Sequence, residues 1–94
     1  MAQNTTITLT PNAWTQLTDA DVTRITFQNT GGQFILVKGA TDATAPTDQT
    51  GAIRYNPGQG QVNAFLTDLF PGLTGADRVF AYSDSAVGVM VSHA

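Results

Sequence analysis

The sequence predicts an all-β protein, a single small β-sandwich or jelly-roll-like barrel of about eight short strands. Three observations carry that reading. Short apolar runs alternate with turn-forming residues at roughly 8–12-residue spacing along the chain. All seven acidic residues are Asp (Asp19, Asp21, Asp42, Asp48, Asp68, Asp77 and Asp84) and none is Glu. Asp favours turns and caps, whereas Glu favours helix interiors. Thr is abundant, and β-branched side chains suit a pleated surface. No amphipathic helix of useful length can be drawn, and no internal repeat is clear.

Taken in order, residues 1–5 read as an extended N-terminal arm. Thr6 to Thr10 places Ile7 and Leu9 on one face of a first strand, which Pro11-Asn12 ends. Trp14 and Leu17 lie in a second short segment, closed by the turn-prone Thr18-Asp19-Ala20-Asp21. The central stretch is Arg24 to Lys38. Ile25 and Phe27 alternate with Thr26 and Gln28, the period of a strand with one wet face. Asn29-Thr30-Gly31-Gly32 then reads as the turn of a β-hairpin, with Gly31 and Gly32 supplying positive φ. Phe34-Ile35-Leu36-Val37 is apolar at every position and needs cover on both faces. Either the chain folds over it or a neighbouring subunit does; a subunit is the favoured reading, which makes these four residues a candidate oligomer interface.

Residues 39–50 form a long polar loop carrying Pro46, of the kind that often makes contacts on a rigid scaffold. Gly51 to Asn56 turns Ile53 and Tyr55 inward, and Pro57-Gly58-Gln59-Gly60 reads as a hairpin turn. Gln61 to Leu66 sets Val62, Ala64 and Leu66 on one face, while Leu66 to Phe70 is open to a single helical turn that Pro71-Gly72 stops. Gly75-Ala76-Asp77 makes another turn before a strand at Arg78 to Ser83. The last strand, Ala86 to Ser92, sets Val87, Val89 and Val91 on one face.

Bulk properties exclude several functions. The 94 residues make one domain, 1–94, with a modest core. There is no Cys, so neither disulfides nor a Cys-based zinc site can supplement that core, and oligomerisation is the usual remaining route. Absence of Cys fits folding in a reducing cytoplasm. The net charge is −3, and the four cations (Arg24, Lys38, Arg54, Arg78) are scattered, which argues against a nucleic-acid partner. The opening MAQNTTITLT lacks the basic segment and apolar core of a signal peptide, and no window approaches a membrane span, so no membrane role is expected.

No residue constellation points to catalysis. His93 is the only His, and with no Cys a nucleophile–base pair is hard to build. Asp77 and Asp84 are candidates for a carboxylate pair but read better as turn residues. Asp42 with Asp48, and Asp19 with Asp21, lack the D-x-D-x-D-G spacing of a calcium loop and read as loop caps. Gly58-Gln59-Gly60 lacks the Lys and helix of a phosphate loop. No cofactor and no metal is expected. Trp14 and Tyr55 are candidates for stacking on a sugar or a partner, against the ordinary role of core or domain-edge anchors.

A family resemblance rests on Trp14-Thr15-Gln16-Leu17, Ile25 to Gly32, Ala45-Pro46-Thr47 and Tyr55 to Gly60. Phe70-Pro71-Gly72, Gly75-Ala76-Asp77-Arg78 and Val91-Ser92-His93-Ala94 complete it. Across nearly its whole length the chain resembles the small all-β structural proteins of tailed bacteriophages and related gene-transfer particles, which decorate or cement a capsid. The resemblance is one of turns and strands rather than chemistry. It implies a non-enzymatic virion protein, made in the host cytoplasm. Its place would be the capsid outer surface, as a homo-oligomer (a trimer) docked on the major capsid protein. It supplies no catalytic residues. Loop length and polarity suggest the capsid contacts: Gln3, Asn4 and Thr5 in the arm, and Asp42, Thr44, Thr47 and Asp48 in the loop. The alternative is a head-spike base or tail-fibre module that binds a receptor or glycan through Trp14 or Tyr55.

Overall fold

In the computed structural model, which describes residues 2–18 and 21–94, these alternations become strands β1 (Gln3–Thr8), β2 (Ala13–Gln16), β3 (Arg24–Asn29), β4 (Ile35–Ala40), β5 (Ile53–Tyr55) and β6 (Gly60–Phe65). A helical turn α1 (Leu66–Leu69) follows, then β7 (Arg78–Ser83) and β8 (Gly88–His93). The strands form two four-stranded antiparallel sheets, β1-β8-β3-β6 (sheet I) and β2-β7-β4-β5 (sheet II). The fold is a β-sandwich.

Period-2 alternation decides what goes between the sheets. Val89 and Val91 on β8, Ile25 and Phe27 on β3, Ile35 and Val37 on β4, and Val79 and Ala81 on β7 are all essentially inaccessible. Leu9, Leu17, Val22, Leu66 and Val87 close the ends of the core from the connections. The Phe27 ring meets Tyr55 of the opposite sheet edge-to-face, with centroids 4.9 Å apart. Gln61 Nε2 donates to the Tyr55 hydroxyl at 3.2 Å, so the buried phenol keeps a polar partner. Leu66–Leu69 winds as the helical turn that the sequence leaves open, and Pro71 follows it.

The central stretch is not a hairpin. β3 pairs with β6 and β8 in sheet I, while β4 pairs with β5 and β7 in sheet II. The link between them therefore crosses the sandwich. Asn29 builds this crossing. It is fully buried; its Nδ2 donates to the Gln33 and Tyr55 carbonyls (2.7 and 3.2 Å), and its Oδ1 accepts the Gly31 N–H (3.0 Å). Its backbone holds a second crossing, from β5 to β6, by accepting the Gly58 N–H and donating to the Gln59 carbonyl, both at 2.8 Å. Pro57 to Gly60 is thus also not a hairpin turn. The glycines with positive φ are Gly51, Gly58 and Gly75, not Gly31 or Gly32.

Two further expectations change. The N-terminal arm is instead strand β1, paired with β8 from Gln3↔His93 to Thr8↔Gly88. Val62 does not face inward: a bulge opposite Ile25–Phe27, with Asn63 at φ 47, resets the alternation and leaves Val62 84% exposed.

Candidate binding surface

The two sheets differ in what they show outward. On sheet I the outward rows across β1, β8 and β3 are Asn4–Ser92–Thr26 and Thr6–Met90–Gln28, polar side chains with a single Met, while Arg24–Phe65 and Val62 face outward at its β6 edge. On sheet II the register lines up Trp14, Tyr82, Leu36 and Arg54 across all four strands. The next row is Gln16–Phe80–Lys38. These positions alternate with Val37, Val79 and Ala81, so they stand on the outer side of the sheet.

The Trp14 and Tyr82 rings lie 5.3 Å apart, tilted by 47°. Lys38 Nζ sits 5.9 Å from the Trp14 ring centroid, and the Arg54 guanidinium covers Phe34 at 4.1 Å. Phe80 is only 3% exposed although it lies outside the core between the sheets. A second layer of apolar contact has therefore grown on the outer side of sheet II. Three of the four cations, Lys38, Arg54 and Arg78, belong to this sheet. Arg78 is held by Asp21 (2.7 Å) and Asp77 (3.1 Å), and Lys38 by Asp48 (3.2 Å). Arg54 also donates to the Asn56 amide oxygen, at 3.2 Å, and forms no ion pair among the described residues.

The candidate interface Phe34–Val37 divides between two faces. Ile35 and Val37 are fully buried in the core and cannot meet a subunit. Phe34 and Leu36 remain half-buried on the outside. The requirement for cover on both sides is met by the opposite sheet within and, in part, by Arg54 and Tyr82 without. The proposed stacking pair is likewise split. Tyr55 is buried against Phe27, and Trp14 has Tyr82 as its neighbour instead. The alternation Arg-Val-Phe-Ala-Tyr-Ser on β7 carried the signal for Phe80 and Tyr82.

Among the suggested capsid contacts, Gln3 already has internal partners. Its Nε2 donates to the Leu17 carbonyl (3.4 Å) and its Oε1 accepts from His93 Nε2 (3.2 Å). Asn4, Thr5, Thr44 and Thr47 are exposed. Asp42 caps the Thr44 N–H at 2.8 Å. Asp48 accepts from Lys38 and from the Thr50 N–H; the Lys38 hydrogen bond first, then that N–H, hold its carboxyl below the ordinary value.

Asp77 and Asp84 flank opposite ends of β7, roughly 20 Å apart at the usual strand rise. Asp19 lies outside the described residues. Among the described residues no three His, Asp or Glu side chains group to hold a metal, and no helix is long and apolar enough to cross a membrane. No family model matches the chain, and no curated protein or solved structure is similar enough to register as a relative.

Proposed function

We propose that the chain is a non-enzymatic bacteriophage virion protein, docked on the outside of the capsid shell through the outer face of sheet II. The observation that carries this reading is the row of Trp14, Tyr82, Leu36 and Arg54 that spans all four strands of sheet II, where the outward rows across β1, β8 and β3 of sheet I are neutral and polar. Aromatic residues and Arg are the types enriched where proteins meet, and here Arg54 and the ion-paired Lys38 stand in the same rows as Trp14, Tyr82 and Phe80. The partner is the major capsid protein, and many copies acting together stabilise the shell although each contact is modest. The virion is its place of work. The resemblance adds a homotrimer to this reading.

The test is cosedimentation of purified protein with shells assembled from the major capsid protein of the same source. The unaltered chain should pellet with the shells, and Tyr82→Ala together with Leu36→Ser should weaken binding at least about tenfold. Equal binding by the variant, or no binding by the unaltered chain, overturns the proposal.

A second reading, glycan binding, is favoured by the Trp14–Tyr82 pair with Lys38 and Gln16 beside it. A glycan array with hits that vanish in Trp14→Ala would establish it in place of capsid docking.

A further inference from the structure

Two large apolar side chains stand exposed among the described residues: Val62 at 84% and Phe65 at 42%. Both belong to β6, the open edge of sheet I. In a regular strand, residues three apart point to opposite faces. Here the register pairs Gln61 with Phe27 and Ala64 with Ile25, both inward, so the bulge at Asn63 turns Val62 and Phe65 outward together. Bulges commonly re-aim a side chain in this way. Beside the pair stands Arg24, with its guanidinium 4.2 Å over the Phe65 ring and no ion pair among the described residues.

Elsewhere the chain carries the opposite relief. A cavity of about 560 Å³ lies between the β4–β5 loop and the segment after α1, its apolar lining including Pro46, Ile53, Leu69, Phe70 and Leu73. The Phe70 ring lies flat on the backbone of β4; a Cβ added to Gly39 would fall 2.6 Å from its Cδ2. The volume is that of a site able to enclose a sizeable ligand, so it has room for two side chains. Asp42 is among the lining residues, and among the described residues its carboxylate is engaged only by the Thr44 N–H.

We propose that the β6 ridge of one copy of this chain docks into this cleft on a second copy. Val62 and Phe65 meet the apolar lining, and Arg24 approaches Asp42. Ridge and cleft are different parts of the same chain, so the contact is head-to-tail, and copies close into a ring or extend as a row. The charges are opposite: Arg24 beside the ridge and Asp42 beside the cleft, neither in an ion pair among the described residues. The inference does not depend on capsid docking, and its test uses the isolated protein with no shell present.

Sedimentation velocity over a concentration series tests it. The unaltered chain should self-associate. Val62→Asp, which spoils the ridge, and Leu73→Asp, which spoils the cleft outside the core cluster, should each weaken association at least about tenfold while keeping the circular dichroism of the fold. Mixed in equal amounts, the two variants should form a species that stops at two copies, because each retains the half that the other lacks. Arg24→Asp and Asp42→Arg should each weaken association, and the double variant should recover it. A chain that stays monomeric into the millimolar range overturns the proposal. So does unchanged association in the single variants, or a mixture that remains monomeric.

Discussion

Replacing Asn29 with Ala tests how the two sheets are held in register with each other. The substitution leaves the Gly31 N–H and the Gln33 and Tyr55 carbonyls without their side-chain partner. A buried polar group stripped of its partner costs about 1–3 kcal/mol, and carbonyls with a second lone pair fall at the lower end. Three such groups, two of them only partly buried, sum to about 3–5 kcal/mol. A domain of this size is stable by roughly 5–14 kcal/mol, so the variant should lose about a fifth or more of its margin. Urea unfolding followed by the fluorescence of Trp14, the single tryptophan, measures this directly. The melting temperature should fall by at least about 12 °C. Asn29→Asp adds a sign test. The carboxyl keeps the acceptor for Gly31 but turns an ionised oxygen toward two carbonyls, so burial and those carbonyls raise its folded pKa above the unfolded value of about 3.9. Stability is then full below that unfolded value and is lost as pH rises through the folded one. Asn29→Asp should therefore be more stable at pH 4 than at pH 7 relative to Asn29→Ala. A loss below about 1 kcal/mol in Asn29→Ala would refute the reasoning.

Other consequences are as specific. Val37→Asp places a charge at a fully buried core position and should leave no folded protein, whereas Leu36→Asp, one residue along and on the outside, should fold with a loss of no more than about 2 kcal/mol; circular dichroism of the two distinguishes them. Gly60→Ala would put a Cβ 2.0 Å from the Phe27 carbonyl oxygen, against β3 backbone that cannot yield without breaking the β3–β6 pairing, so it should destabilise by about 2 kcal/mol or more. Gly32→Ala meets no atom within 4 Å at a φ open to any residue, and should be neutral in the same thermal scan. The Asp48 carboxyl has its pKa lowered by Lys38 and the Thr50 N–H, so the tether it makes is present above the ordinary carboxylate pKa and lost as pH falls below it. Because Asp48 is exposed, the readout is local: proteolysis within residues 41–52 should quicken at low pH, and Asp48→Asn should quicken it at neutral pH.

Much of the fold was legible from period-2 alternation. β7 and β8 alternate as written, and the all-Asp acidic set marks a chain of turns. The partners of each strand were not legible. Gly31 and Gly32 between two apolar runs suit a hairpin and a crossing between sheets equally, and what separates them is the reach of Asn29 to Tyr55, 26 residues away. The bulge at Asn63 was hidden for a related reason: an Asn in the left-handed region shifts the alternation by one, so Val62 reads as core when counted from Leu66. At the candidate site, Trp14 was visible as an unusual residue in a polar edge segment. Its true neighbours, Tyr82 and Lys38, come from strands about 70 and 25 residues away and needed the sheet order, not the sequence, to be found.

Capsid docking rests on one surface, the outward face of sheet II. An image reconstruction of the assembled particle tests it most directly. The domain should lie on the outside of the shell with Trp14, Leu36 and Tyr82 turned toward the capsid protein. Density that places this face in solvent, or particles that lack the chain altogether, would contradict it.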